Sequence, residues 1–213
     1  MAKREGNLLS GFTVSDYLDT TGSDAPVPGG GCAAALCAAL AAALGEMVAN
    51  LTVGREKYRE NEAEMIRFRE KLSLCRKKME LHIDRDKQAY EKVLAAYKIS
   101  RDAAHESLRK NAIQIALKEA AIVPAEVAND AVQILFLIDK VIKKGNRNAL
   151  TDGITGALLA RSAALAALLN VKVNLSAIHD AAFKETIEQE VEELEQKAIQ
   201  AEGGILAWYR SLQ

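Results

Sequence analysis

Thirteen consecutive residues, 32–44, comprise eight alanines, three leucines and two cysteines, with no charge among them. Such a run has little else it can become than a helix, because alanine is the strongest helix former and a poor strand residue. It lies in a segment over 31–52 where Leu36, Leu40, Leu44 and Val48 recur at every fourth position. Small side chains around most of the circumference suit a central helix whose neighbours approach very closely. The uninterrupted apolar run falls short of the ~20 residues that cross a bilayer, so no membrane span is expected. With only 3 Pro and 5% aromatics, the rest of the chain also favours helix over a many-stranded sheet.

Charge narrows the partners. Lys plus Arg number 28 against 29 Asp plus Glu, a net −1. A dedicated nucleic-acid binder needs a basic surplus to displace counterions, so no nucleic acid is expected. Cys32, Cys37 and Cys75 form no CxxC pair and are odd in number, which makes a poor disulfide framework. Residues 1–12 lack the apolar core of a signal peptide. The expectation is a soluble, cytoplasmic, all-α protein whose residues 1–213 form a single domain.

Further helices follow from periodicity and caps. Thr13 and Asp16 have capping-box-like spacing for a short helix over 13–18. A loop over 20–31 holds two of the three prolines and four glycines. Over 56–97, Met65, Phe68, Leu72, Cys75, Met79, Tyr90, Val93 and Tyr97 form a stripe in steps of three and four. A helix over 103–123 is expected to end or kink at Pro124, with another continuing to Lys144 before the stop pair Gly145 and Asn146. Thr151 or Asp152 can cap a helix over 154–169, and a last helix spans 181–209, loosening at Gly203 and Gly204.

Three features carry potential chemistry. Pro28, Gly29, Gly30 and Gly31 open the alanine-rich helix, and free amides there can hold a carboxylate or phosphate; the bland alternative is a tight turn. The preceding residues read as loop rather than strand, so a dinucleotide fingerprint fails its context. Heptads counted from Met65 reach Leu72, Met79, Asp86 and Val93, which places Asp86 on an apolar stripe. A core-facing carboxylate is costly unless paired, protonated or lining a wet cavity, and such burial tunes a carboxyl for acid–base work. Asp84 lies ~200° away and is expected to face outward or sideways, while His82, one turn before Asp86, is within touching distance. An ordinary buried His–Asp pair is the structural alternative; no cluster completes a metal site. Lastly, Gly145, Asn146, Asn148 and Asp152 gather around a loop, and Asn170 and Asn174 offer two amides together, able to read a heterocycle or merely to cap helices.

Six stretches in order, PVPGGGCAAAL (26–36), LGEMVANLTVGREKY (44–58), IDRDKQAY (83–90), ALKEAAIVP (116–124), GNRNALTD (145–152) and LNVKVNL (169–175), resemble the formiminotetrahydrofolate cyclodeaminase family. That family includes a bacterial methenyltetrahydrofolate cyclohydrolase branch, and the likeness runs from about Ser15 to Asp180. Lys98, Ile99 and Ser100 stand where many relatives have a Leu-Pro stop, a difference expected at a helix end only.

The resemblance implies an antiparallel bundle of long helices, a homodimer, and a folate groove near the subunit interface. It implies that Asp86 is catalytic, with His82 and Asp84 as neighbours. For substrate binding it points to Pro28, Gly29, Gly30, Gly31, Lys118, Asn146, Asp152, Asn170 and Asn174. The glycine turn, Lys57, Lys118, Lys172 and Arg147 are candidates for the carboxylates of a glutamate or polyglutamate tail. The substrate is a tetrahydrofolate derivative and no metal is implied. The expected reaction is ammonia release from formiminotetrahydrofolate to give methenyltetrahydrofolate. Hydrolysis of methenyl- to formyltetrahydrofolate is the alternative, and a non-catalytic dimerising scaffold is the competing class. With no formiminotransferase segment in these residues, the expectation is that the formimino substrate comes from a separate enzyme or that a different folate is used.

Overall fold

The computed structural model describes residues 8–212, and every regular element among them is helical. Six α-helices follow in order: α1 (Val14–Thr21), α2 (Gly30–Asn50), α3 (Glu62–Tyr97), α4 (Glu106–Lys144), α5 (Leu150–Leu175) and α6 (Ala181–Arg210). Short 3₁₀ segments occur at Leu9–Gly11, Glu56–Asn61 and Arg147–Ala149, the second of them kinked at Tyr58. Thr13 caps α1 as its spacing with Asp16 predicts, accepting from the Asp16 N–H at 3.1 Å. Ion pairs fix the direction of the two longest helices. Glu64–Lys144, Lys78–Asp130, Arg85–Glu126 and Lys92–Glu119 descend along α4 as they climb along α3, so the pair is antiparallel.

Alanine is the packing surface of α2. Ala34, Ala35, Ala38, Ala39, Ala41 and Ala42 are all buried, and the helix packs against α3, α5 and α4. The α5 face opposite is equally small, with Ala157, Ala160, Ala163, Ala164 and Ala167 buried. At Gly156 a Cβ would sit 3.2 Å from the Ala41 carbonyl, so glycine is what lets these backbones come so near. The leucines do the reverse of what their spacing suggests. Leu36 is 40% exposed, Leu40 52%, and Leu44 is half-buried. Close approach excludes large side chains from the inner face, and they line the outer one.

That outer face meets α1 in a mostly apolar cavity of about 330 Å³, lined by Phe12, Tyr17, Leu18, Leu36, Leu40 and Ile83 among others. By length and composition α2, α4 and the stretch 147–175 are apolar enough to cross a membrane. Counting only uninterrupted apolar residues understated this, because scattered polar residues barely lower a window's average. Here 50–61% of each window is buried within the fold.

Several boundaries differ from expectation: α3 starts at Glu62 rather than 56, and α5 runs on to Leu175, past 169. Helix α4 passes through Pro124 without a break. A proline there leaves the Ala120 carbonyl without its i+4 donor. Asn174 of α5 supplies one, its Nδ2 donating to that carbonyl at 2.6 Å. Helix α5 starts at Leu150 behind Ala149, which offers no side-chain cap, so Thr151 and Asp152 lie in the first turn instead of capping it. Helix α6 runs unbroken through Gly203 and Gly204.

Candidate active site

The loop before α2 ends in a cis Val27–Pro28 peptide and Gly29, the N-cap, which has no side chain to satisfy the first-turn amides. Asp86 of α3 takes that place from across the interface. Its Oδ2 lies 3.1 Å from the Cys32 Sγ, and the Cys32 backbone N–H also donates to the carboxylate. A Cβ at Gly31 would overlap the Asp86 carboxylate, so only glycine leaves it room. On the neighbouring residue a Cβ at Gly30 would meet the Asn170 Nδ2 at 3.4 Å. The start of α2 is therefore flanked by a carboxylate on one side and an amide on the other.

Asp86 is half-buried and its carboxyl is raised above the usual 3.8, because burial outweighs the two Cys32 donors that favour its charge. Burial and the Asp86 charge push the Cys32 thiol up, so it remains an S–H donor. The Tyr17 phenol, also pushed up by burial and then by Cys32, Asp86 and Asp84, is 7% exposed. Its hydroxyl has no hydrogen-bond partner among the described residues. The arrangement is a carboxyl raised above its usual range and set against the first turn of α2, with the Cys32 thiol beside it.

The two residues paired with Asp86 in sequence are elsewhere. Asp84 is buried, 7% exposed, and does not face outward. Its Oδ1 accepts from the Leu9 N–H at 2.5 Å and its Oδ2 from the Ser10 hydroxyl at 2.6 Å. The chain before α1 lies over this second face of α3, which is why both sides of the helix are covered. His82 does not hydrogen-bond Asp86 but faces α4, 3.8 Å from Glu126 and 3.9 Å from Asp130, with the Arg85 guanidinium at 3.4 Å. Burial and then Arg85 hold its pKa below 6.5 against the pull of those carboxylates.

The remaining candidates separate into two groups. Asn170 borders the glycine turn, while its Nδ2 bonds back to Ala166 at 2.9 Å. Asn174 is one turn further along α5, its amide nitrogen engaged by Ala120. Lys118 pairs with Asp180 at 2.6 Å and lies over the Phe183 ring, and Lys172 pairs with Glu195.

The second group sits at the far end of α2, ~30 Å away by its length. There Asn146 donates to the Leu51 carbonyl and its own N–H meets the Thr52 hydroxyl at 2.8 Å, locking the loop to the end of α2. Lys57, Tyr58, Asn146 and Asn148 line a polar cavity of about 330 Å³, and Arg147 stacks on Trp208. Asp152 is half-buried in the first turn of α5, just beyond that loop. No group of three His, Cys, Asp or Glu side chains among the described residues is arranged to hold a metal ion. Cys32 and Tyr17 were not singled out from sequence. Cys32 carried a signal, since it follows the glycines within the first turn of the helix they open.

The geometry defines an all-helical protein with a half-buried carboxylate set against a glycine-rich helix start. Residues 13–193 match the Formiminotransferase-cyclodeaminase family model, and the chain belongs to this family of enzymes. It is 38% identical over 183 residues to methenyltetrahydrofolate cyclohydrolase of Methylorubrum extorquens, covering 85% of this chain and 88% of that one. It is 29% identical over 195 residues to formimidoyltransferase-cyclodeaminase of Rattus norvegicus, covering 91% of this chain but only 36% of that protein. Among solved structures, formiminotetrahydrofolate cyclodeaminase of Thermotoga maritima superposes with a TM-score of 0.87 at 30% identity, covering 96% of this chain and 98% of its own.

Proposed function

We propose that this chain performs acid–base catalysis at the one-carbon unit of a tetrahydrofolate, with Asp86 moving the proton. The observation that carries the reading is the Asp86 carboxylate, raised by burial and pressed against Gly31 at the start of α2. In the deaminase reading, one folate nitrogen attacks the formimino carbon held on the other, and a proton delivered to the departing nitrogen lets ammonia leave. In the cyclohydrolase reading, water loses a proton as it adds to the methenyl carbon and one carbon–nitrogen bond opens. Either reaction needs a single group that gives and takes a proton near neutrality. The deaminase is supported by structural likeness to the Thermotoga protein. The cyclohydrolase is favoured by the 38% identity to a Methylorubrum protein of nearly matching extent.

Binding of the ligand's polar edges falls to the α2 amides with Asn170, and the tail carboxylates to the basic groups Lys57, Arg147 and Lys118. Because the two groups of candidates lie at opposite ends of α2, a homodimer places a second copy where both can border one groove. The outward Leu36 and Leu40, beside exposed Val14 and Leu18, supply an apolar face for that contact. A cytoplasmic location fits the folate substrate.

The test is the absorbance of the methenyl chromophore with each substrate offered separately. Growth of signal with ammonia release identifies the deaminase, and its loss above the buffer rate the cyclohydrolase. Asp86→Asn preserves shape but cannot cycle a proton, so turnover falls by ~100-fold or more while folate still binds. Asp84→Asn affects stability instead, since its carboxylate holds Leu9 and Ser10. Full turnover by Asp86→Asn, or an unmodified protein inert toward both folates, rejects the reading.

A further inference from the structure

We propose that Cys32 is a positioning residue for Asp86: its thiol hydrogen fixes the orientation in which the carboxylate meets the substrate. This rests on the function proposed above. Cys32 is completely buried and holds Asp86 twice, through the Sγ–Oδ2 contact of 3.1 Å and through its own backbone N–H. The backbone bond anchors the carboxylate to the helix start, but a single bond leaves its plane free to turn. The missing Cβ at Gly31 leaves the room that the carboxylate itself occupies. A second donor from the same residue removes that freedom. The thiol suits the task because a weak donor orients a carboxylate without binding its proton-accepting oxygen too firmly to release.

The Tyr17 hydroxyl is the independent sign that this cluster is not simply a stability device. It is buried with no partner among the described residues, in electrostatic reach of Cys32, Asp86 and Asp84. Asp84, by contrast, has both oxygens taken. Purely structural polar networks close on their buried donors, and this one leaves a donor open beside the carboxylate that has capacity left.

The test compares kcat, KM and melting temperature of the unmodified protein, Cys32→Ala, Cys32→Ser and Asp86→Asn on both folates. Cys32→Ala is expected to lower kcat about tenfold or more with KM little changed, the cost of a misdirected catalytic group. Cys32→Ser keeps a donor at nearly the same reach and recovers most of that loss. Cys32→Val, apolar and without a large void, repeats the alanine arm if alanine unfolds the chain. Equal kcat in the alanine (or valine) and serine variants, or a loss confined to KM, overturns the proposal and leaves the thiol as filling. An inert unmodified protein, or a fully active Asp86→Asn, removes the catalytic carboxylate itself and this proposal with it. The Asp86 arm leaves Cys32 intact, so the two failures are told apart.

Discussion

A buried histidine among charges is the residue most exposed to a change of pH. His82 is faced by Glu126 and Asp130 from α4, and by Arg85 and Lys78 from its own helix. Its folded pKa is depressed below 6.5, so the unfolded chain takes up the proton first. The stability it contributes is present above 6.5 and is lost as pH falls through that value toward the depressed one. Asp86 acts oppositely, because a carboxyl raised above 3.8 favours the folded state as pH falls through its own range. Urea midpoints measured between neutral pH and pH 5 are therefore expected to decline on acidification. The decline is expected to flatten in His82→Gln, and an equal slope in both proteins would assign the loss to other groups. Asp86 was legible as the unusual residue because a carboxylate interrupts an apolar stripe. Asp84 was not, because what buries it comes from residues 9 and 10, more than seventy positions away in sequence.

Single helices were legible where local rules decide them and misread where a neighbour intervenes. The alanine run and the Thr13 cap are local, and both helices form as expected. The buried stripe of α3 keeps its heptad spacing to the end: Phe68, Cys75, His82, Ala89 and Ala96 are seven apart, and all but the half-buried Cys75 are buried. Tyr90 and Tyr97, each one residue past that register, come to the surface. Pro124 reads as a stop because its remedy sits on another helix, in the side chain of Asn174. Asn174→Ala strands the Ala120 carbonyl and is expected to cost ~1–3 kcal/mol, the penalty of an unmet buried acceptor. In a Pro124→Ala background the helix regains its own N–H, so the same substitution costs clearly less. Denaturant unfolding of the four proteins measures that coupling, and simple additivity would show that the bond is incidental.

At the scale of the molecule, the fold gathers its small residues inward and leaves a leucine face outward. Sedimentation at micromolar concentration is expected to give twice the 23.1 kDa of the chain. Leu40→Glu, which puts a charge in that face, is expected to return the monomer and weaken folate binding together. A monomeric unmodified protein with full folate affinity would show that one chain makes its own groove. The overall architecture was readable because helix periodicity and composition act over short stretches. The division of the candidate residues between the two ends of α2 was not, since linear order says nothing of which end of a rod a loop returns to.

The three glycines at 29–31 look interchangeable on paper, yet they are unequal before mutation. Every amino-acid change at a glycine codon adds at least one carbon. At Gly29 and Gly30 that carbon finds ordinary contacts, with the Pro26 carbonyl and the Asn170 amide, and at Gly31 it lands on a carboxylate. Inheritance can therefore drift at the first two codons and hardly at all at the third. One short turn thus carries a record of where the chemistry stands.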